Sequence, residues 1–325
     1  MNGMSGSRNY NRKPIPKSIL IFGAADHIGD PLAAFLTRDA PSIRLRLATR
    51  NADKAKGLRL KYPAAEVVLA DYTDLSTLVK AVEGMEGIFV VTPGGLDERA
   101  CMTNLIAAVK ASGSLIHMLR ITGLHPDESL NRVPRAMRLS GDGIEIQHVW
   151  ARQILDESGL PVTFLNCGAT FMDNFIRLGL GDSLRRQRKL IWPEHLVPWI
   201  DPRDIAEVAA CLFLSDNHRH IGHVHTMNNG HDLMRYHEVA KLMSETWNEP
   251  IAYDGSKEAF FATYSHLGPL CQHLWDYMQY EQDNEVVWAR NDFVERTIGR
   301  KPTTLLEWLV EHRDMVLNAA VLPDA

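Results

Sequence analysis

The amino-acid sequence predicts an α/β fold: a doubly wound parallel sheet with a smaller, mainly helical C-terminal part that binds substrate. Two observations predict it. Short apolar runs alternate with helical segments through the first half of the chain, as they do in successive β–α–β units. The second half is mostly helical in its apolar spacing and rich in aromatic residues. We therefore place the sheet in the N-terminal half and expect the C-terminal half to close over it.

The predicted strands and helices follow one another closely. Ser18–Phe22 is a buried apolar run that ends at Gly23, and a helix is expected over residues 28–37. In the next strand, residues 43–47, apolar residues alternate with arginines, which predicts one solvated face. The further strand candidates are residues 66–70, 87–92, 115–121, 161–166 and 222–227. The further helix candidates in this part are residues 75–82, 99–111, 145–158 and 202–213.

The domain boundaries follow from this pattern. Residues 1–17 are polar and lack an apolar segment, so we expect a disordered tail and no secretory signal. Residues 18–170 form the predicted sheet domain. Residues 171–325 form the predicted substrate-binding part, from which residues 200–228 return to the sheet.

Composition excludes several classes of protein. The 325 residues are 45% hydrophobic and 23% charged, with a net charge of −5, so a nucleic-acid partner has no electrostatic support. No apolar run is long enough to span a membrane. Four scattered cysteines predict neither disulfides nor a zinc site, and we expect a cytoplasmic protein without a metal. The oligomeric state stays open, with a homodimer as one option.

The strongest chemical signal is the turn over residues 23–29, Gly-Ala-Ala-Asp-His-Ile-Gly, between the first strand and the first helix. Glycines here permit a tight turn and let a pyrophosphate approach the N–H groups at a helix N-terminus. An aspartate replaces the middle glycine of the usual pattern. The alternative is a plain turn in which that aspartate caps the helix. The expected cofactor contacts in the turn are Gly23, Ala25, Asp26, His27, Ile28 and Gly29.

The end of the second strand indicates which dinucleotide binds. Arg50 lies where a 2′-phosphate would sit, so NADP(H) is favoured over NAD(H), although a solvated arginine is the alternative. Residues near the ends of the next strands are expected to border the adenine and the nicotinamide ribose. The further cofactor candidates are Lys54, Asp71, Tyr72, Thr92 and Pro93.

The chain resembles the NmrA-like group of atypical short-chain dehydrogenases/reductases. The resemblance runs from about residue 18 to residue 312. Beside the glycine turn, it is carried by residues 48–55, 158–165, 171–174, 200–206 and 298–304. It implies a Rossmann domain that binds NAD(P)(H), with a substrate cleft between that domain and the C-terminal part. The family spans reductases, other enzymes and cofactor-sensing regulators, so the resemblance predicts the fold more firmly than the activity.

The departures from the family pattern concern the chemistry. Related dehydrogenases carry Tyr-x-x-x-Lys on a helix, and here His148 and Arg152 stand at those places. His148 is the candidate acid/base group, and Arg152 is expected beside it to grip a ribose or phosphate, although a structural His–Arg pair is the alternative. Thr122 occupies a place where the family often has serine, and as a catalytic candidate its hydroxyl is expected to hold a substrate oxygen. The substrate candidates are Asn166, Phe171, Met172 and Trp192.

Three functions remain open at this stage. The first is an NADP(H)-dependent oxidoreductase acting on a small, apolar or aromatic substrate. The loss of Tyr and Lys is less damaging if the hydride acceptor is already activated, as an iminium, a quinone or a conjugated alkene is. The second is a regulatory protein that binds NADP(H) without turnover. The third is a non-redox isomerase or lyase on the same fold.

Overall fold

A computed structural model of the chain describes residues 12–129, 131 and 148–318. Its strands are β1 (Ser18–Phe22), β2 (Arg44–Thr49), β3 (Glu66–Leu69), β4 (Gly87–Val90), β5 (His117–Thr122), β6 (Val162–Cys167), β7 (Thr170–Phe171), β8 (Lys189–Ile191), β9 (Leu196–Ile200), β10 (Val224–Met227), β11 (Leu233–Arg235) and β12 (Ala252–Asp254). Its α-helices are α1 (Gly29–Asp39), α2 (Ala52–Lys61), α3 (Leu75–Val82), α4 (Glu98–Ser112), α5 (His148–Glu157), α6 (Asn174–Arg177), α7 (Leu180–Gln187), α8 (Pro202–Leu214), α9 (Tyr236–Trp247), α10 (Lys257–Tyr264), α11 (Pro269–Asp283), α12 (Phe293–Ile298) and α13 (Leu305–Asn318).

The central sheet confirms the predicted α/β fold. Seven parallel strands lie in the order β3-β2-β1-β4-β5-β6-β10. Helices α1 and α8 pack on one face of the sheet, and α3, α4 and α5 pack on the other. The chain order reverses between β1 and β4, so the carboxyl ends of these two strands flank a crevice, which is where ligands bind in sheets of this topology.

The C-terminal part has its own apolar core. Helices α9, α10, α11 and α13 pack with two small sheets, β11-β9-β7 and β12-β8. Its centre is aromatic: Phe175 stacks on Trp199 with ring centroids 5.6 Å apart, and both are fully buried. No helix among the described residues is long and apolar enough to cross a membrane.

Two regions differ from the sequence predictions. Arg46 on β2 was expected on a solvated face, but its side chain is buried because its guanidinium donates to the carbonyls of Ala81 and Glu83 at the end of α3 and pairs with Glu66. The predicted disordered tail includes residues 12–17, of which Lys13 and Pro16 are buried and the other four are exposed, and Lys13 donates to the Ser215 carbonyl at 2.6 Å. Residues 1–11 of that tail, and the first three residues of the helix predicted over 145–158, lie outside the described residues.

His117 makes the stability of the fold depend on pH. Its side chain is fully buried in β5, where Nε2 contacts the Thr163 hydroxyl at 2.9 Å. Burial, with the charges of Lys13 and His220, lowers the pKa of His117 to about 3. An unfolded imidazole binds a proton below about pH 6.5, while the folded one does not. Stability is therefore unaffected above that pH and falls between about pH 6.5 and about 3, and at pH 5 this one group accounts for about 2 kcal/mol.

We expect His117→Gln to be less stable than the wild type near neutrality but to lose less stability on acidification. The measurement is the free energy of unfolding by urea at pH 7.5 and pH 5. The control is His266→Gln, because His266 is exposed and should leave the pH dependence unchanged. Equal pH dependence in His117→Gln and the wild type would contradict this account.

Candidate active site

A cleft of about 860 Å³ lies along the carboxyl ends of β1 to β5. It is lined by residues from the turns that follow those strands, and by the start of α5 and of the C-terminal part. The structure thus brings together most of the sequence-predicted site. The predicted residues that line the cleft are Gly23, Ala25, Asp26, His27, Ile28, Gly29, Arg50, Lys54, Asp71, Tyr72, Thr92, Pro93, Thr122, His148 and Phe171.

The glycine turn forms a cradle that side chains would fill. Gly23 has φ of +64°, and a Cβ there would lie 2.6 Å from Val91 Cγ1. A Cβ on Gly29 would lie 2.2 Å from the carbonyl oxygen of Gly23. Among the described residues, no side chain caps the N-terminus of α1. The turn therefore leaves the bare backbone and the helix N-terminus that a pyrophosphate requires, and the residues present fit this group.

Asp26 does not cap the helix, which was the alternative interpretation of the turn. Its carboxylate pairs instead with Lys54, with Oδ1 and Nζ 2.8 Å apart, and both side chains are about half exposed. Lys54 is placed there by the start of α2, where the Asn51 side chain accepts hydrogen bonds from the N–H groups of Asp53 and Lys54. The ion pair partly neutralises the negative charge that Asp26 brings to the turn.

Arg50 is exposed at the end of β2 and lines the cleft. Its guanidinium has no hydrogen bond or ion pair to the residues described. Hydrogen bonds from the Thr73 N–H and hydroxyl hold the pKa of nearby Asp71 below its usual range, against partial burial, and the charge of Arg50 adds to this. Arg50 thus presents an unpaired cation at the adenosine end of the cleft.

A buried carboxylate, which the sequence analysis missed, organises the other end of the cleft. Glu98 at the start of α4 accepts from Arg120 Nη2 at 2.7 Å, and its Oε2 contacts His148 Nδ1 at 2.9 Å. The Thr92 hydroxyl also donates to Glu98. Burial would raise the pKa of Glu98, but the charges of Arg120 and His148 and these hydrogen bonds hold the pKa well below its usual range.

The Glu98 carboxylate determines which ring nitrogen of His148 carries the hydrogen in their contact. Because an ionised carboxylate only accepts hydrogen bonds, Nδ1 of His148 carries the hydrogen in this contact. Nε2 is left beside Gly123, since a Cβ on Gly123 would lie 3.4 Å from it. An imidazole oriented at Nδ1 by a buried acid and turned with Nε2 toward a cleft is the arrangement that acid/base catalysis uses.

Arg152 is not beside His148 in the cleft. Its guanidinium pairs with Asp156 at 3.4 Å and lies over the Phe164 ring, and it lines a second cavity one helical turn further along α5. The expectation that Arg152 lies beside His148 and grips a ribose or phosphate there is therefore wrong. The group in contact with the imidazole is the Glu98 carboxylate.

Three of the four substrate candidates lie outside the cleft. Met172 and Trp192 are buried in the C-terminal core. Asn166 is also buried, and its side chain ties the end of β6 to Leu124 through hydrogen bonds of 2.7 and 3.1 Å. Thr122 lines the cleft, but its hydroxyl contacts Asn166 Oδ1 at 3.3 Å. Of the four substrate candidates, Phe171 is the one that lines the cleft.

A contact joins the glycine turn to the C-terminal part beside the cleft. His27 Nδ1 lies 2.9 Å from Asp173 Oδ2, and the His27 ring packs edge-on against Phe171. Arg177, the last residue of α6, also lines the cleft and lies 3.9 Å from the same Asp173 oxygen. Among the residues described, no group of three or more His, Cys, Asp or Glu side chains is arranged to hold a metal ion.

This chain belongs to the NmrA-like family, whose model matches residues 16–314. It is 28% identical over 239 residues to an NAD(P)H azoreductase of Xenophilus azovorans, covering 72% of this chain and 76% of that protein. The triphenylmethane reductase of Citrobacter sp., complexed with NADP(H), shares the fold with a TM-score of 0.73 and 20% identity, over 90% of this chain and 99% of that one. The negative transcriptional regulator NmrA, in complex with NADP, has a TM-score of 0.70 and 15% identity, over 92% and 95% of the chains.

Proposed function

We propose that this protein is an NADP(H)-dependent oxidoreductase that transfers hydride to or from a small, apolar or aromatic organic substrate. One observation carries the proposal: a single cleft holds the glycine turn and Arg50 at one end and the Glu98–His148 pair at the other. The glycine turn and Arg50 suit the binding of a phosphorylated dinucleotide, and the Glu98–His148 pair suits proton transfer. The azoreductase named above is similar over most of its length, which supports the redox class.

The residues that would hold the cofactor divide into three groups. The turn from Gly23 to Gly29 would contact the pyrophosphate through its backbone, and Arg50 would bind the 2′-phosphate by a forked, charge-assisted contact. Asp71 and Tyr72 would border the adenine. When bound, NADP(H) supplies or accepts the hydride. The side chains at the nicotinamide end would bind the substrate and transfer the proton.

His148 is the proposed proton-transfer group. Reduction of a neutral acceptor by two electrons takes one hydride and one proton, and Nε2 of His148 can deliver that proton to the acceptor while Glu98 holds Nδ1. Without the Tyr–Lys pair, the chain has little to polarise a simple ketone. We therefore propose an acceptor that is already electron-poor, such as a quinone, an azo compound, an iminium or a conjugated alkene.

A regulator that binds NADP(H) without turnover is the second candidate. The observations that favour it are Asp26 in the glycine turn and the likeness in fold to NmrA. The experiment that separates the two measures the absorbance of reduced nicotinamide with quinone, azo and iminium acceptors under catalytic conditions. Oxidation of NADPH over many turnovers supports the oxidoreductase. Tight NADPH binding without oxidation supports the regulator, and turnover of a substrate without any change in nicotinamide supports a non-redox enzyme.

We expect Asp26→Asn to tighten NADPH binding about two- to fivefold. The change removes a negative charge beside the phosphates and releases Lys54 toward them, and exposed charges interact at about this strength. The measurement is the Kd of NADPH by fluorescence titration at low salt. The matched control is Asp53→Asn, because Asp53 pairs with Lys56 on the exposed face of α2. Weaker binding in Asp26→Asn would show instead that the ion pair with Lys54 positions the turn.

A further inference from the structure

A second cavity of about 990 Å³ is lined in part by residues of α5. Its apolar lining comes from the loop after β5, from α5, from β10 and from the segment before α12. These lining residues include Leu124, Val149, Val224, Val287 and Trp288. Trp288 is held in place because its Nε1 donates to the Leu124 carbonyl at 3.1 Å. The cavity therefore offers a fixed aromatic side chain and an apolar surface.

The second cavity and the cleft are neighbours along three segments of the chain. Thr122 and Gly123 line the cleft, and the next residue, Leu124, lines the second cavity. Likewise His148 lines the cleft and Val149 lines the second cavity. At the end of β6, Cys167 lines the cleft and Asn166 lines the second cavity. A substrate held in the second cavity would thus lie next to the nicotinamide end of the cleft.

The charged side chains that the structure describes in the second cavity are mostly negative. Among its described lining residues, Glu128, Asp156 and Glu157 are carboxylates, and Arg152 is the single Lys or Arg. Arg152 is paired with Asp156, and Glu157 accepts a hydrogen bond from Gln153 at 2.7 Å. An apolar cavity with excess negative charge favours positively charged ligands.

Among the described residues, Glu128 forms no ion pair. Its Oε2 accepts the His125 N–H at 3.2 Å, while its Oε1 is buried and has no hydrogen-bond partner among the described residues. Burial raises the pKa of Glu128, and the His125 N–H and the nearby His148 and His125 rings oppose this. A buried carboxylate oxygen without a partner is costly, and a bound cation would relieve that cost.

We propose that the second cavity binds the substrate as a flat, apolar organic cation, with its positive group beside Glu128 and its aromatic part against Trp288. The assignment of this ligand as the substrate rests on the proposed oxidoreductase function. An iminium ion fits that function with a balanced reaction. The hydride from NADPH forms a new bond at the iminium carbon, the π electrons of the carbon–nitrogen bond move to nitrogen, and a neutral amine and NADP⁺ result without a proton. The product loses the charge that held it beside Glu128.

The experiment compares two aromatic probes of the same shape that cannot be reduced. Benzyltrimethylammonium carries the positive charge, and neopentylbenzene is its neutral isostere. Calorimetric titration into the full-length protein with NADP⁺ bound should show the cation binding about tenfold tighter or more, as expected for a charge-assisted contact with an aromatic neighbour. Glu128→Gln should abolish most of that preference and leave the Kd of NADPH unchanged. The control is Glu245→Gln, because Glu245 is exposed on α9 and outside both cavities.

Two results would overturn the proposal. One is equal affinity of the wild type for the two probes. The other is a cation preference that survives in Glu128→Gln. If Glu128→Gln does not fold, as judged by circular dichroism, Asp156→Asn takes its place and should reduce the preference two- to threefold, and an unchanged preference there would also overturn the proposal. A cation preference in a protein that never oxidises NADPH would support the cation site and reject the proposed oxidoreductase function. Turnover of neutral acceptors only, without a cation preference, would support the oxidoreductase function and reject the cation site.

Discussion

Replacing His148 with phenylalanine should lower kcat for a neutral acceptor, such as a quinone, by about 10²- to 10⁴-fold, which is the usual contribution of acid/base assistance. Phenylalanine matches the imidazole in shape but removes both nitrogens. The Kd of NADPH should stay within about twofold, because His148 lies at the opposite end of the cleft from Arg50 and the glycine turn. The measurement is steady-state kinetics of NADPH oxidation, together with a separate binding titration.

The matched control is His266→Phe, an exposed histidine after α10, which should keep full activity. An iminium acceptor provides an internal control, because it takes up hydride without a proton and should be far less sensitive to His148→Phe. Unchanged kcat with the neutral acceptor in His148→Phe would remove the imidazole from the mechanism. Equal losses with both acceptors would assign it a positioning role instead.

Arg50→Ala should weaken NADPH binding by tens-fold and leave NADH binding nearly unchanged. The loss of a forked, charge-assisted contact to the 2′-phosphate costs about 1.5–3 kcal/mol, and NADH lacks that phosphate. Arg50 has no hydrogen bond or ion pair to other described residues, so its removal should not disturb the fold. The measurement is the Kd of each nucleotide for the wild type and the variant at one salt concentration.

Arg59→Ala is the control for the loss of a positive charge. Arg59 is exposed on α2, donates to the Val67 carbonyl at 3.3 Å and lies outside the cleft. We expect it to weaken NADPH only slightly. Equal losses for NADPH and NADH in Arg50→Ala would contradict the assignment of Arg50 to the 2′-phosphate.

The sheet and the cofactor end of the cleft could be predicted because their signals are local. The run Ser18–Phe22 and the helix Leu75–Val82 have the predicted bounds. The turn from Gly23 to Gly29 and Arg50 line one cleft because the carboxyl ends of parallel strands meet at one edge of the sheet. The alternation of apolar residues and arginines in β2 did not predict the burial of Arg46. Its guanidinium binds carbonyl groups at the end of α3, and no pattern within β2 reveals those acceptors.

The nicotinamide end was harder to predict because its partners are distant in sequence. Glu98 lies 50 residues from His148, and no spacing rule connects them. One signal was available, since Arg120 in a buried central strand requires a buried acid. Arg152 was misplaced because it lies one helical turn beyond His148, where α5 lines the second cavity and no longer the cleft.

Met172 and Trp192 were assigned to substrate because aromatic and flexible apolar residues line pockets as well as cores. The structure places Trp192 against Phe260 and Tyr264, with ring centroids 5.5 and 5.4 Å apart, inside the C-terminal core. The residue type alone does not show whether such a side chain lies in a pocket or in the core, since both environments are apolar.

The central claim is that this cleft moves hydride between NADP(H) and an organic acceptor. The most direct test is a single turnover with an iminium or conjugated-alkene acceptor and NADPH that carries deuterium on one face of C4, with the two labelled diastereomers used in parallel. These acceptors take the hydride at carbon and keep it as a C–D bond, whereas an O–D or N–D bond would exchange with water. The account predicts that one diastereomer delivers one deuterium to each molecule of product, in step with the formation of NADP⁺, while the other retains its label. Product that contains no deuterium from either diastereomer, or NADPH that binds and is never oxidised by any acceptor, would contradict it.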